Sequence, residues 1–148
     1  KFRQEVILRR DNLEVVNDTN ATSPEATIAA IERFAARGEN LILVCGGTDR
    51  DLDFTTLGRE IARRLPKKNL ILLGGSATEK LKRAIGWRRF FVQETLEECA
   101  EEARRIAAEN AEGSIILFSP GAKSFEKFKN EYDRGERWNE AVRNIFGA

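Results

Sequence analysis

Histidine is absent from this 148-residue chain. Its absence removes Ser-His-Asp triads, imidazole metal ligation and imidazole acid–base catalysis. Methionine is absent too and the chain opens on Lys1, which reads as a cut-out domain or a processed piece of a longer product. Only two cysteines occur, Cys45 in an apolar run and Cys99 in a helical pattern. They are too few for a disulfide framework or metal site and read as small buried hydrophobes of a reduced, cytoplasmic protein. No apolar run approaches the roughly 18 residues that cross a membrane, and no signal-peptide pattern starts the chain. Charge of one sign is not in excess: 25 Lys and Arg against 24 Asp and Glu leave +1. No global field therefore argues for nucleic acid or an anionic membrane. The Gly-x-x-x-x-Gly-Lys-Ser/Thr spacing occurs nowhere, so the chain has no P-loop.

What remains is a balanced globular composition, 33% charged and 41% hydrophobic, long enough for one domain with a real core. Val6–Leu8 and Leu13–Val16 flank the turn-prone Asp11-Asn12 and predict a short N-terminal hairpin. Thr22 or Ser23 can cap the helix that follows, with Pro24 in its first turn and Gly38 after its end. LILVC (41–45), LILL (70–73) and SIILF (114–118) are near-continuous apolar runs, as strands buried on both faces require. Arg89–Val92 reads as a further short strand. Helical patterns over 54–65, 77–85, 94–110 and 136–146 alternate with these runs, the third capped by Thr95 and carrying a Glu101–Arg105 pair. The expected architecture is α/β: one Rossmann-like domain, a mostly parallel sheet flanked by helices, with the hairpin at its start.

Ligands of such sheets gather at the carboxyl ends of the strands, here segments 17–22, 46–53, 74–77 and 119–125. GGTDRDLDF (46–54) offers a close backbone approach and the Arg50 guanidinium, or simply a surface turn with Asp53 capping the next helix. GGSATE (74–79) lacks the third glycine of a dinucleotide fingerprint, and Ser76 or Thr78 as a cap explains it. In SPGAKSFEKFKNEYDRG (119–135), Ser124 at a helix start with free amides would receive an anion. Alternatively, Phe125 and Phe128 dock a short helix there. NDTNAT (17–22) supplies more polar groups than a cap needs: Asp18 can accept from hydroxyls and Thr22 can donate to a carboxylate, or Asn17 and Asp18 only form an Asx-turn.

Phe2-Arg3-Gln4-Glu5, VVNDTNATSPEATIAAI, GGTDRDLDF and SPGAKSFEKFKNEYDRG, in this order and spacing, resemble the C-terminal domain of the Mur ligase family. The last motif resembles the members that add D-glutamate, and the likeness spans essentially residues 1–148. It implies a three-domain enzyme whose UDP-binding and central ATPase domains lie outside this chain. That enzyme would use ATP and Mg2+ to join D-glutamate to UDP-N-acetylmuramoyl-L-alanine through an acyl phosphate. Carried over by position, Arg3, Asp18 and Asn20 lie toward the nucleotide, and Thr22 and Arg50 lie near the α-carboxylate of D-glutamate. Ser124 and Phe125 belong to the segment receiving its side-chain carboxylate, with Glu131 nearby. No catalytic residue and no metal ligand is expected within this chain, and a monomer without nucleic-acid or membrane partners is expected. Phe2 stands where histidine is common, Asn20 and Arg50 where lysine is, and Glu131 where an aromatic is frequent. A rival from another class is a stand-alone, non-catalytic module binding an acidic small molecule or a protein.

Overall fold

A computed structural model describes residues 1–147. Six strands, β1 (Glu5–Arg10), β2 (Leu13–Asn17), β3 (Asn40–Cys45), β4 (Leu70–Leu73), β5 (Phe91–Gln93) and β6 (Ser114–Phe118), form one sheet in the order β1-β2-β6-β3-β4-β5. Only the β1–β2 pair is antiparallel, joined through Asp11-Asn12 as the hairpin pattern predicts.

The helices are α1 (Pro24–Ala35), α2 (Thr55–Arg64), α3 (Thr78–Ile85), α4 (Leu96–Ala108) and α5 (Glu131–Phe146). Strand side chains alternate between two cores. Val16, Leu43, Cys45, Leu72 and Leu117 meet α1, α2 and α3 on one face, whereas Val15, Val44, Ile71, Ile116 and Phe118 meet α4 and α5 on the other. Cys45 and Cys99 therefore lie on opposite faces of the sheet, both free and buried. Burial pushes the Cys45 thiol up to about 12 and raises that of Cys99 as well, so neither is a reactive thiolate.

Ser23 caps α1 by accepting from the Ala26 amide, with Pro24 as first residue, and Thr95 forms a full capping box with Glu98 on α4. Several local expectations change. Glu101 pairs with Arg104, while Arg105 bridges Glu102 and Glu109. The expected Glu101–Arg105 pair yields to three-residue spacings that give each arginine a closer carboxylate. Neither Ser76 nor Thr78 caps α3, because Ser76 accepts from the Asp49 amide and Thr78 from that of Gly75. Asp53 accepts from the Thr55 amide in a local turn before α2, whose own cap position is Phe54. The strand expected at 89–92 forms at Phe91–Gln93, and α5 starts five residues earlier than the apolar spacing predicts, capped by Asn130.

Candidate functional site

The crevice flanks β6. Helices α1 and α2, which follow its neighbours β2 and β3, pack on one face, and α5, which follows β6 itself, packs on the other. Adjacent strands whose connections leave to opposite faces open a gap at their carboxyl ends. Residues 17–22, 46–50 and 119–125 meet there, stitched by backbone bonds from Gly46 to Pro120 (2.8 Å) and from Gly121 to Ala21 (2.8 Å). Thr48 and Lys123 exchange two more, at 2.9 and 3.0 Å. Gly46 and Gly47 have φ of +117° and +143°, and a Cβ on Gly47 would stand 2.7 Å from the Lys123 carbonyl. Only glycine permits this closeness.

Asp18 is 2% exposed and its two carboxylate oxygens are both engaged. One accepts from the Gln4 amide at 2.9 Å and the other from the Ser119 hydroxyl at 2.7 Å, which also contacts Thr27. Burial raises its pKa above the usual aspartate value; the Ser119 bond, the Gln4 amide and the charges of Arg3 and Arg33 work against that rise. Asp18 thus clamps the entering segment 2–4 to β6. Arg3 stays exposed on that segment. Asn20 donates to the Lys1 carbonyl (3.1 Å) and its amide to that of Phe2 (3.1 Å). Asn17 makes the Asx-turn, accepting from the Thr19 amide, so the polar run combines turn, cap and clamp.

Thr22 is half-buried at the rim, beside the α1 cap. Across the crevice the Arg50 guanidinium lies 5.0 Å over the ring of Phe125. That ring is 54% exposed and is not the anchor of a docked helix. Ser124 is buried, but no helix starts at it: residues 125–127 form a turn closed by the Phe128 amide on the Ser124 carbonyl. The chain is diverted because Glu126 is pinned to the neighbouring loops, its amide on Thr48 and its carboxylate accepting from the Ser76 amide. Those bonds, the one from Ser76 first, hold the Glu126 carboxyl below the ordinary glutamate range. Phe128 packs into the α4–α5 core.

A residue to which the sequence assigned no role lies behind this loop. Arg134 is fully buried, donating to the Thr19 hydroxyl (2.9 Å), the Thr19 carbonyl (2.8 Å) and the Ala122 carbonyl (3.0 Å). No carboxylate lies within ion-pair distance among the described residues. Burial lowers its pKa to about 10, opposed by the charge of Glu131. The signal was legible: Arg134, Trp138, Ala141 and Val142 share the buried stripe of α5. Glu131, at the first turn, accepts from the Thr19 hydroxyl through its carbonyl. The interior beneath the crevice, lined by Gly47, Thr48, Ser124 and Arg134 among others, is only about 10 Å³. The exposed groups of the crevice form a surface rather than an enclosed pocket.

The crevice of this α/β domain carries an exposed guanidinium (Arg50) and the Thr22 hydroxyl at its rim, with Ser124 and Arg134 buried behind them. The chain belongs to the Mur ligase, glutamate ligase domain family, whose profile matches residues 2–121. It is 40% identical over 151 residues to the UDP-N-acetylmuramoylalanine–D-glutamate ligase of Roseiflexus sp. (strain RS-1), a match spanning 98% of this chain and 30% of that protein. The enzyme of the same name from Treponema pallidum (strain Nichols) is 37% identical over 146 residues, 99% of this chain and 26% of its own. The chain thus spans under a third of these relatives' length. In fold it is similar to the MurF ligase of Thermotoga maritima, solved in complex with ADP: TM-score 0.59, 18% identity, 99% of this chain and 31% of that one.

Proposed function

We propose that this chain is the amino-acid-receiving domain of a cytoplasmic, monomeric ligase that joins D-glutamate to UDP-N-acetylmuramoyl-L-alanine for peptidoglycan synthesis, working with separate UDP-binding and ATPase domains. The observation that carries the reading is the stacking of Arg50 on Phe125, one residue from buried Ser124. A dicarboxylate needs two anion sites held apart, one cationic and one of hydroxyl and amide donors. Arg50 and Thr22 serve the α-carboxylate. Ser124 and the Phe125 amide serve the side-chain carboxylate, with Glu131 offering its backbone at the rim.

In this reading the muramoyl-alanine carboxylate takes the γ-phosphoryl group of ATP, and the D-glutamate amine attacks the resulting acyl carbon. Phosphate leaves, and the amide nitrogen sheds a proton. The chain's own contribution is positioning, which converts a two-substrate encounter into an aligned one. Arg3 and Asn20 face the nucleotide, and Asp18 fixes the segment that carries Arg3.

The isolated chain is expected to bind D-glutamate weakly and not to ligate it. Titrating the 15N-labelled chain with D-glutamate should shift the signals of Thr22, Arg50 and Ser124. Shifts confined to other regions would refute the site, and ATP-dependent product from the chain alone would refute the division of labour.

A further inference from the structure

Near-neutral overall charge conceals an uneven distribution. Residues 59–91 hold ten Lys and Arg against two Glu, a net of +8, so the rest of a chain whose total is +1 nets −7. The excess is concentrated at the amino ends of β4 and β5, the pole of the sheet opposite the crevice. There a groove of about 1000 Å³ runs between Lys67–Lys68, the last turn of α3 and the 86–91 loop.

Its construction separates floor from rim. Trp87 and Phe90 stack at 5.9 Å and pack against the core, which spends their faces on each other and on the interior. Phe91, 43% exposed, adds an apolar surface at the free edge of the sheet. Gly86, at φ +81°, ends α3, and Arg88 and Arg89 beyond it stand exposed to solvent. Lys67, Lys68, Arg83, Arg88 and Arg89 make no ion pair and no side-chain hydrogen bond among the described residues. Other cations of the same segment do have carboxylate partners, as Arg63 and Arg64 have Glu60 and Lys80 has Asp49.

We infer that this groove docks an acidic polypeptide segment carrying apolar side chains, supplied by a protein partner. Five uncompensated cations on a rim favour an anionic occupant. The concave aromatic floor favours apolar side chains that enter it. Bases would need several free ring faces in a row to stack on, and with Trp87 and Phe90 stacked on each other only Phe91 is left exposed among the groove's aromatics. A bilayer would need a broad protruding apolar surface, and Phe91 is the one large apolar side chain of this groove that stands exposed. β5 also leaves one edge unpaired, to which an extended segment can add main-chain bonds.

The test titrates the 15N-labelled chain with a synthetic peptide of about a dozen residues alternating Glu with Leu and Phe. Shifts should concentrate at residues 67–68 and 82–91. Affinity should fall roughly tenfold or more as the ionic strength rises about tenfold. An Arg88→Glu/Arg89→Glu variant, altering two solvent-exposed side chains, should lose binding at least about tenfold with an unchanged melting temperature, since reversing rim charges acts on association rather than on folding. A control peptide with Gln for Glu should bind about as poorly. Tighter binding to an oligothymidine or to phosphatidylglycerol vesicles than to the acidic peptide would overturn the assignment. So would charge-dependent self-association of the chain through the same residues, or no binding at all.

Discussion

Arg134 and Thr19, 115 positions apart in sequence, are joined twice: Nε donates to the threonine hydroxyl at 2.9 Å and a terminal nitrogen donates to its carbonyl at 2.8 Å. The fork geometry of the guanidinium lets one side chain tie the end of β2 to α5 while a third donor reaches Ala122. Lysine has the charge without the fork. Arg134→Lys should therefore leave the Thr19 or Ala122 carbonyl unsatisfied and cost about 1–3 kcal/mol. Thermal unfolding measures it. A melting temperature equal to that of the parent would show that the fork contributes nothing.

The Arg50 side chain is exposed and stacked on an exposed ring, so its removal should scarcely alter stability. If the chain serves the proposed ligase, Arg50→Ala in the longer protein is expected to raise the D-glutamate KM roughly 10- to 150-fold, equivalent to the about 1.5–3 kcal/mol of a hydrogen bond to a charged group. Arg50→Lys should recover part of it. Steady-state kinetics with D-glutamate varied decides this, and an unchanged KM in Arg50→Ala would remove Arg50 from the binding surface.

Two buried carboxylates should tilt the pH dependence of stability in opposite directions. Asp18 holds its proton to higher pH in the folded chain than in the unfolded one, chiefly through burial. Its contribution falls as pH rises from the ordinary aspartate value through the raised one. Glu14, gripped by Arg37 at 2.6 Å and by Arg9 at 2.9 Å, is lowered, with the Arg37 bond as the leading cause. Its stabilisation is complete above the ordinary glutamate value and is lost as pH falls through the lowered one. Melting temperatures across the acid range should show Asp18→Asn removing the first slope and Glu14→Gln the second.

Gly135 faces the ring of Phe2 and the methyl of Thr19, each of which would stand 2.6 Å from an added Cβ. Gly135→Ala, though helix-favouring by propensity, should destabilise by about 1–3 kcal/mol through overpacking. Denaturant unfolding measures the change; stabilisation would show that α5 moves away freely.

The alternation of apolar runs and helical spacing made the sheet legible, because buried parallel strands such as Leu41–Cys45 are apolar on both faces. Strand ends located the crevice for the same topological reason. Local polar partners were not legible in this way. Ser76, Thr78 and Asp53 all look like caps, yet their oxygens serve loops that the fold brings beside them. The apolar spacing places the start of α5 late because its first turn is polar; only Asn130 and buried Arg134 mark it. The stripe of α5 marks Arg134 as buried, but its role is not legible, because its partners lie 12 and 115 positions away.

β6 is the last strand in the chain, yet it lies between β2 and β3 and pairs with both. During synthesis the hairpin and the β3–β5 block thus emerge without the strand that joins them. Val15 and Val16 must wait for residues 114–118 before they are covered. A ribosome stalled before Ser114 should hold two fragments rather than a sheet, and protease protection of β2 should appear only once β6 has cleared the exit tunnel.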